Sequence, residues 1–172
     1  VAEDRRTLLK VLSGVVGTSL VGAVAAPALR AALAPVTLKT VTGVGELVPV
    51  VALEAVPADG TPIQVPVVVE APMDAWTRHP PTTVGAVFLV RRGDEVRAWS
   101  SICPHLGCGI DYDARVGKFG CPCHESWFDA EGQVASGPAP RGMDTLETRI
   151  VDGVVEVRFE KFKIGTAEKA PA

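Results

Sequence analysis

Between Cys103 and His124 the chain concentrates all four of its cysteines and two of its three histidines. They fall in two short loops, Cys103-Pro104-His105-Leu106-Gly107-Cys108 and Cys121-Pro122-Cys123-His124-Glu125-Ser126. The spacing is C-x-H, fifteen residues, then C-x-x-H. Each loop thus offers a soft thiolate and an imidazole close together. Two such loops facing one another supply four ligands, and an S₂N₂ set suits either zinc or an iron–sulfur site. Cys108 and Cys123 remain, one in each loop, and that symmetry suggests a disulfide. A zinc site would leave this pair unexplained.

The N-terminal segment adds a second constraint. Val11 to Leu29 is nineteen residues without a charge, close to the ~20 needed to cross a bilayer. Arg5, Arg6 and Lys10 precede it, so the positive-inside rule places residues 1–10 in the cytoplasm and the rest across the membrane. Asp4-Arg5-Arg6-Thr7-Leu8-Leu9-Lys10 also looks like a twin-arginine export signal, a route for proteins folded around a cofactor. A cleaved signal peptide ending near Ala23-Val24-Ala25 is the competing reading. The apolar run is longer than an ordinary signal core, which favours a retained anchor over residues 11–29. The small residues Gly14, Gly17, Thr18, Gly22 and Ala26 could admit a neighbouring helix or simply fill a weakly apolar segment. Residues 30–45, from Arg30-Ala31-Ala32-Leu33-Ala34-Pro35 onward, read as a flexible linker.

Residues 46–164 read as one small antiparallel β domain. Val65–Val69 and Val84–Val90 have the apolar content of buried strands. Arg91-Arg92-Gly93-Asp94 reads as a turn into Glu95–Trp99. Thr148 to Val157 reads as two strands about Asp152-Gly153, a strong hairpin signal. No long amphipathic helix follows the anchor, and residues 165–172 read as a fraying tail. The net charge of −3 supplies no basic stripe for nucleic acid. His79, in Arg78-His79-Pro80-Pro81, reads as surface loop.

CPHLGC followed by CPCHES resembles the motif of Rieske iron–sulfur proteins. The resemblance is good from Val84 to Phe159 and poor from Glu46 to Thr83. It implies a Rieske-type antiparallel β sandwich with a cluster-binding subdomain, here on a single transmembrane helix. It implies a [2Fe–2S] cluster with Cys103 and Cys121 on one iron, His105 and His124 on the other, and a Cys108–Cys123 disulfide. Imidazole ligands raise the potential of such clusters to about −150 to +300 mV, and they also titrate.

Within the family, soluble ferredoxins and ring dioxygenases usually lack both the disulfide and an anchor. Gly137-Pro138-Ala139-Pro140 resembles the proline loop of quinol-oxidising members. The resemblance therefore implies the iron–sulfur subunit of a cytochrome bc-type quinol:cytochrome c oxidoreductase in a bacterial inner membrane. Its partners would be quinol, a cytochrome b-type membrane subunit, a c-type cytochrome acceptor and the lipid bilayer. His124 would meet the quinol, and Ser126 would donate a hydrogen bond at the cluster. The alternative is the small subunit of an arsenite oxidase-like molybdoenzyme. Three positions depart from the common pattern. Phe128 stands where high-potential members carry Tyr, Glu125 stands where Gly is common, and Pro104 replaces Thr. The missing Tyr hydroxyl predicts a lower potential, suited to a donor such as menaquinol.

Overall fold

A computed structural model describes residues 2–37, 45–73 and 76–172. The chain divides into two compact units, residues 1–40 with 73–78, and residues 41–72 with 79–172.

The first unit is built on α1 (Ala2–Thr37). Within it Asp4–Ala34, 31 residues, is long and apolar enough to cross a membrane. Its Leu and Val side chains, from Leu8 to Leu33, are exposed, and such a helix needs an apolar surrounding rather than water. The helix continues through Arg30–Thr37, where the sequence reading begins a linker. Ala and Leu, which dominate that stretch, are strong helix formers. The rest of the expected linker, residues 38–44, lies outside the described residues. Positions Gly14, Gly17 and Gly22 are open, since a Cβ there would meet nothing within 4 Å. Trp76 Nε1 donates to the Ala31 carbonyl at 3.1 Å.

Among its described residues the second unit holds three antiparallel sheets. Its strands are β1 (Leu47–Ala52), β2 (Ile63–Val69), β3 (Thr82–Arg92), β4 (Glu95–Ser100), β5 (Asp111–Asp113), β6 (Lys118–Cys121), β7 (Ser126–Phe128), β8 (Val134–Ser136), β9 (Thr145–Leu146), β10 (Thr148–Val151) and β11 (Val154–Arg158). The sheet orders are β1-β11-β10, β2-β3-β4-β9 and β5-β6-β7-β8. Both expected turns form. Gly93-Asp94 joins β3 to β4. Asp152 and Gly153 join β10 to β11 with φ of 49° and 76°, the left-handed pair that lets a two-residue turn follow the strand twist.

The apolar run of β3 is explained by two cores. Val87 and Leu89 belong to a core shared with β1, β2 and β11. Phe88 and Val90 belong to another, with Trp99, Ile110, Phe119, Phe128, Cys103 and Cys121. Alternate residues of a strand point to opposite faces, so the β3–β4 hairpin is a wall between the cores. Phe119 centres the second core, its ring 5.0 Å from that of Phe88 and 5.1 Å from that of Tyr112.

The tail corrects the expectation of fraying. Lys163 N–H donates to Ala170 O at 2.8 Å, and Ala172 N–H donates to Lys161 O at 2.9 Å. Lys169 Nζ reaches Thr145 O at 2.6 Å and lies 4.5 Å from the centre of the Phe162 ring. Backbone pairing, invisible in an Ala-, Lys- and Glu-rich composition, holds the segment in place.

Candidate metal centre

Both loops are hairpin tips of the second core. β4 leads into the first, which is pinched at its base by the bridge Ile102–Gly109. Inside it, Cys103 N–H donates to Cys108 O at 2.7 Å and Gly107 N–H to Cys103 O at 2.9 Å. The second tip joins β6 to β7, with Cys121 and Ser126 as cross-strand partners. Sheet hydrogen bonding thus fixes where each cysteine and histidine pair begins.

The tips meet. Cys108 and Cys123 form a disulfide, while Cys103 and Cys121 are free and buried. The sulfurs of Cys108, Cys121 and Cys123 lie within 4.8 Å of one another. Two of these are spent on the bridge, so Cys121 alone of the three offers a thiolate. The His105 and His124 rings are 4.8 Å apart, one ring perpendicular to the other. His105 is half-buried and His124 exposed.

Burial pushes the Cys103 thiol up from 9.0 to about 11, and the neighbouring Cys121 sulfur adds to the rise. The backbone N–H groups of His105 and Leu106 oppose the rise. A buried thiol such as that of Cys103 resists ionising unless a cation joins it. Ser126 gives a further sign: its hydroxyl is fully buried and has no hydrogen-bond partner. Such an orphan is costly unless an acceptor sits beside it. Two thiols, two imidazoles and an unmatched donor fit an iron–sulfur group bound between the tips.

The proline loop lies against the second tip. A Cβ on Gly137 would come within 2.5 Å of Ser126 Cα and 2.6 Å of Glu125 O. Only glycine permits this approach, and φ of 95° at Gly137 favours it again. Ala139 is buried in the second core beside Cys103 and Cys121. Glu125 is exposed with φ of 57°, which explains why glycine suits that position. Phe128 is fully buried in the second core, and His79 is exposed.

Sequence reasoning missed the pair Arg141–Asp144, which follows the proline loop directly. Arg141 donates from Nε and Nη2 to the two Asp144 carboxylate oxygens at 2.8 and 2.7 Å. The side chains are only 9% and 6% exposed, and the carboxylate raises the Arg141 pKa. A charged pair three apart in a short loop was the available signal. Pro104 has a structural place that its sequence position does not show: it is buried, and its carbonyl accepts a hydrogen bond from Gly165 N–H at 2.8 Å.

Comparison with known proteins agrees with this chemistry. The Rieske [2Fe-2S] domain family matches residues 46–148. The cytochrome b6-f complex iron-sulfur subunit of Prochlorococcus marinus (strain AS9601) is 39% identical over 73 residues, 41% of each chain. The carotenoid phi-ring synthase of Chlorobaculum tepidum is 35% identical over 80 residues, 46% of this chain and 12% of that one. The matched stretch therefore spans well under half the length of these relatives. The crystal structure of the cyanobacterial plasma membrane Rieske protein PetC3 from Synechocystis PCC 6803 is 28% identical, covering 64% of this chain and 97% of that one, with a TM-score of 0.45. A family match over more than half of the sequence, falling on loops whose free thiols and paired imidazoles suit that cofactor, makes this chain a member of the Rieske [2Fe-2S] domain family and a binder of a [2Fe–2S] cluster.

Proposed function

We propose that the chain is the iron–sulfur subunit of a quinol-oxidising, cytochrome b-containing membrane complex that delivers electrons to a c-type cytochrome. One observation carries the reading. The exposed His124 ring lies beside His105 at the tip of two disulfide-tied loops, in a chain that also has a membrane-length helix. The b6-f subunit relative supports it.

In this reading Cys103 and Cys121 would hold one iron, and His105 and His124 would hold the other. When bound, the [2Fe–2S] cluster takes up and releases one electron. His124 would commit one ring nitrogen to iron and present the other to the quinol hydroxyl as proton acceptor, beside a group that takes up one electron. The second electron would have to pass to the b haem of the partner. The N–H groups of His105 and Leu106 would favour the Cys103 thiolate, and Ser126 would donate its hydroxyl at the cluster. Residues 1–10 lie in the cytoplasm of a bacterial cell, α1 spans the inner membrane, and the cluster domain works on the outer side. Arg5-Arg6 belongs to a twin-arginine export signal.

The test is electron paramagnetic resonance of the reduced protein in its native membrane, with and without an inhibitor of the quinol-oxidising site. A Rieske signal whose line shape shifts with the inhibitor is expected. A signal that no such inhibitor perturbs would favour the arsenite oxidase-like alternative, which Phe128 keeps open.

A further inference from the structure

Residues 163–166 form a strap against the first cluster loop. Gly165 N–H donates to Pro104 O at 2.8 Å. Ile164 packs over Gly107, where a Cβ would lie 3.6 Å from Ile164 Cδ1. Arg141 holds the strap on both sides of Gly165. Its Nη2 donates to Lys163 O at 2.9 Å and its Nη1 to Thr166 O at 2.6 Å. The same guanidinium is fixed by Asp144, so one buried fork joins the proline loop to the tail.

The Pro104 carbonyl and the His105 N–H belong to a single peptide group. A hydrogen bond to that oxygen fixes the plane of the whole peptide. The peptide lies directly between Cys103 and His105, the two proposed ligands of the first loop, so the strap sets where both stand.

We propose that strap residues 163–166, clamped by Arg141 and Asp144, form a positioning device that tunes the cluster through the Pro104–His105 peptide. The inference rests on Cys103 being a cluster ligand, and on nothing about quinol. Backbone N–H groups aimed at a ligand sulfur withdraw electron density and favour the reduced cluster. A loop freed of the strap aims them less well, so the potential falls. Arg141 and Asp144 cancel in charge, and comparing the single changes with their combination separates loss of the Arg141 charge from loss of the strap.

The test compares full-length holoprotein in detergent with three variants: Arg141→Gln, a chain ending at Phe162, and their combination. Each is titrated potentiometrically by its Rieske signal, and Gly165 amide exchange is followed where the residue is present. Both single changes should shift the redox equilibrium about three- to tenfold toward the oxidised form, roughly 30–60 mV lower at ~59 mV per tenfold step. The combination should fall no lower than the truncation alone. Gly165 should exchange faster in Arg141→Gln. A truncated chain that keeps the parent potential overturns the proposal, as does an Arg141→Gln shift undiminished in the truncated background. Should truncation unfold the domain, Arg141→Gln decides alone: a freely exchanging Gly165 with an unchanged potential overturns it. Failure of the ligand reading looks different, since Cys103→Ser would then keep the parent signal and potential.

Discussion

Ser126 carries a prediction with two signs. Its buried hydroxyl lacks a protein partner, and an unsatisfied buried group costs about 1–3 kcal/mol. Ser126→Ala should leave the cluster-free protein as stable or more stable, while lowering the potential of the loaded protein. Thermal unfolding with and without iron, together with a redox titration, reads both. A rise in potential would place the hydroxyl elsewhere. Phe128→Tyr should raise the potential by some tens of millivolts, given ~59 mV per tenfold shift, if the new hydroxyl reaches a sulfur. No rise in the titration would mean that it does not. Glu125 holds a left-handed backbone, which costs a non-glycine residue about 1–2 kcal/mol. Glycine relieves that but loses about 0.5–1 kcal/mol to the freedom of its unfolded chain. Glu125→Gly should therefore be slightly stabilising in a denaturant melt, and removal of its charge should nudge the potential upward. Cys103 adds a pH dependence to the cluster-free protein. Its folded pKa of about 11 lies above the ordinary 9.0, so the neutral thiol is the form that folding favours. That contribution is complete below pH 9 and is lost as pH rises toward 11. Alkylation of the folded, iron-free chain at pH 8 should spare Cys103.

The two loops were legible as elements because their chemistry is local. A thiolate and an imidazole two or three residues apart announce themselves, and so does Asp152-Gly153 between apolar runs. The strap was not legible. Its bond from Gly165 to Pro104 joins two backbones far apart in the chain, and composition carries no mark of such a pairing. The proline loop lay between these cases: its stiffness was readable, but its seat on Glu125 and Ser126 needed coordinates. Gly137→Ala should push the loop off that seat, since no flexible side chain there can give way. Faster cluster loss and a lower melting temperature are expected; a variant that keeps the parent's cluster half-life would mean the seat is dispensable. The disulfide closes a fifteen-residue separation, for which the chain-entropy account gives about 3 kcal/mol. Cys108→Ala should lower stability by about that much and leave a labile cluster of lower potential. Mass spectrometry of the alkylated, unreduced parent chain should find neither Cys108 nor Cys123 modified.

For the whole molecule, the helix and the β domain were separable in the sequence by the change from an uncharged run to short β-branched segments. The boundary was less legible, because Ala-rich sequence after Leu29 serves a helix as well as a linker. The two cores were hidden as well. A continuous apolar run such as Val84–Val90 indicates burial but not that each face of the strand serves a different core. The β domain has its own core, so a chain starting at Gly45 should be water-soluble and, once reconstituted, give the parent's Rieske signal. Precipitation of that fragment would show that the helical unit is needed for folding.

The cluster subdomain leaves from the end of β4 and returns at β9, and those two strands are hydrogen-bonded neighbours. Ser100 N–H donates to Asp144 O at 2.8 Å across the gap. Everything between is an excursion whose two ends touch, the arrangement in which insertion and excision disturb a host least. The metal-binding segment can then be regarded as a removable cassette. Cut out and replaced by a tight turn, it would leave an unbroken β-sheet base whose newly bared patch is Phe88, Val90 and Trp99. Recoding those three as polar residues would make the base a receptacle into which cassettes from other members could be spliced.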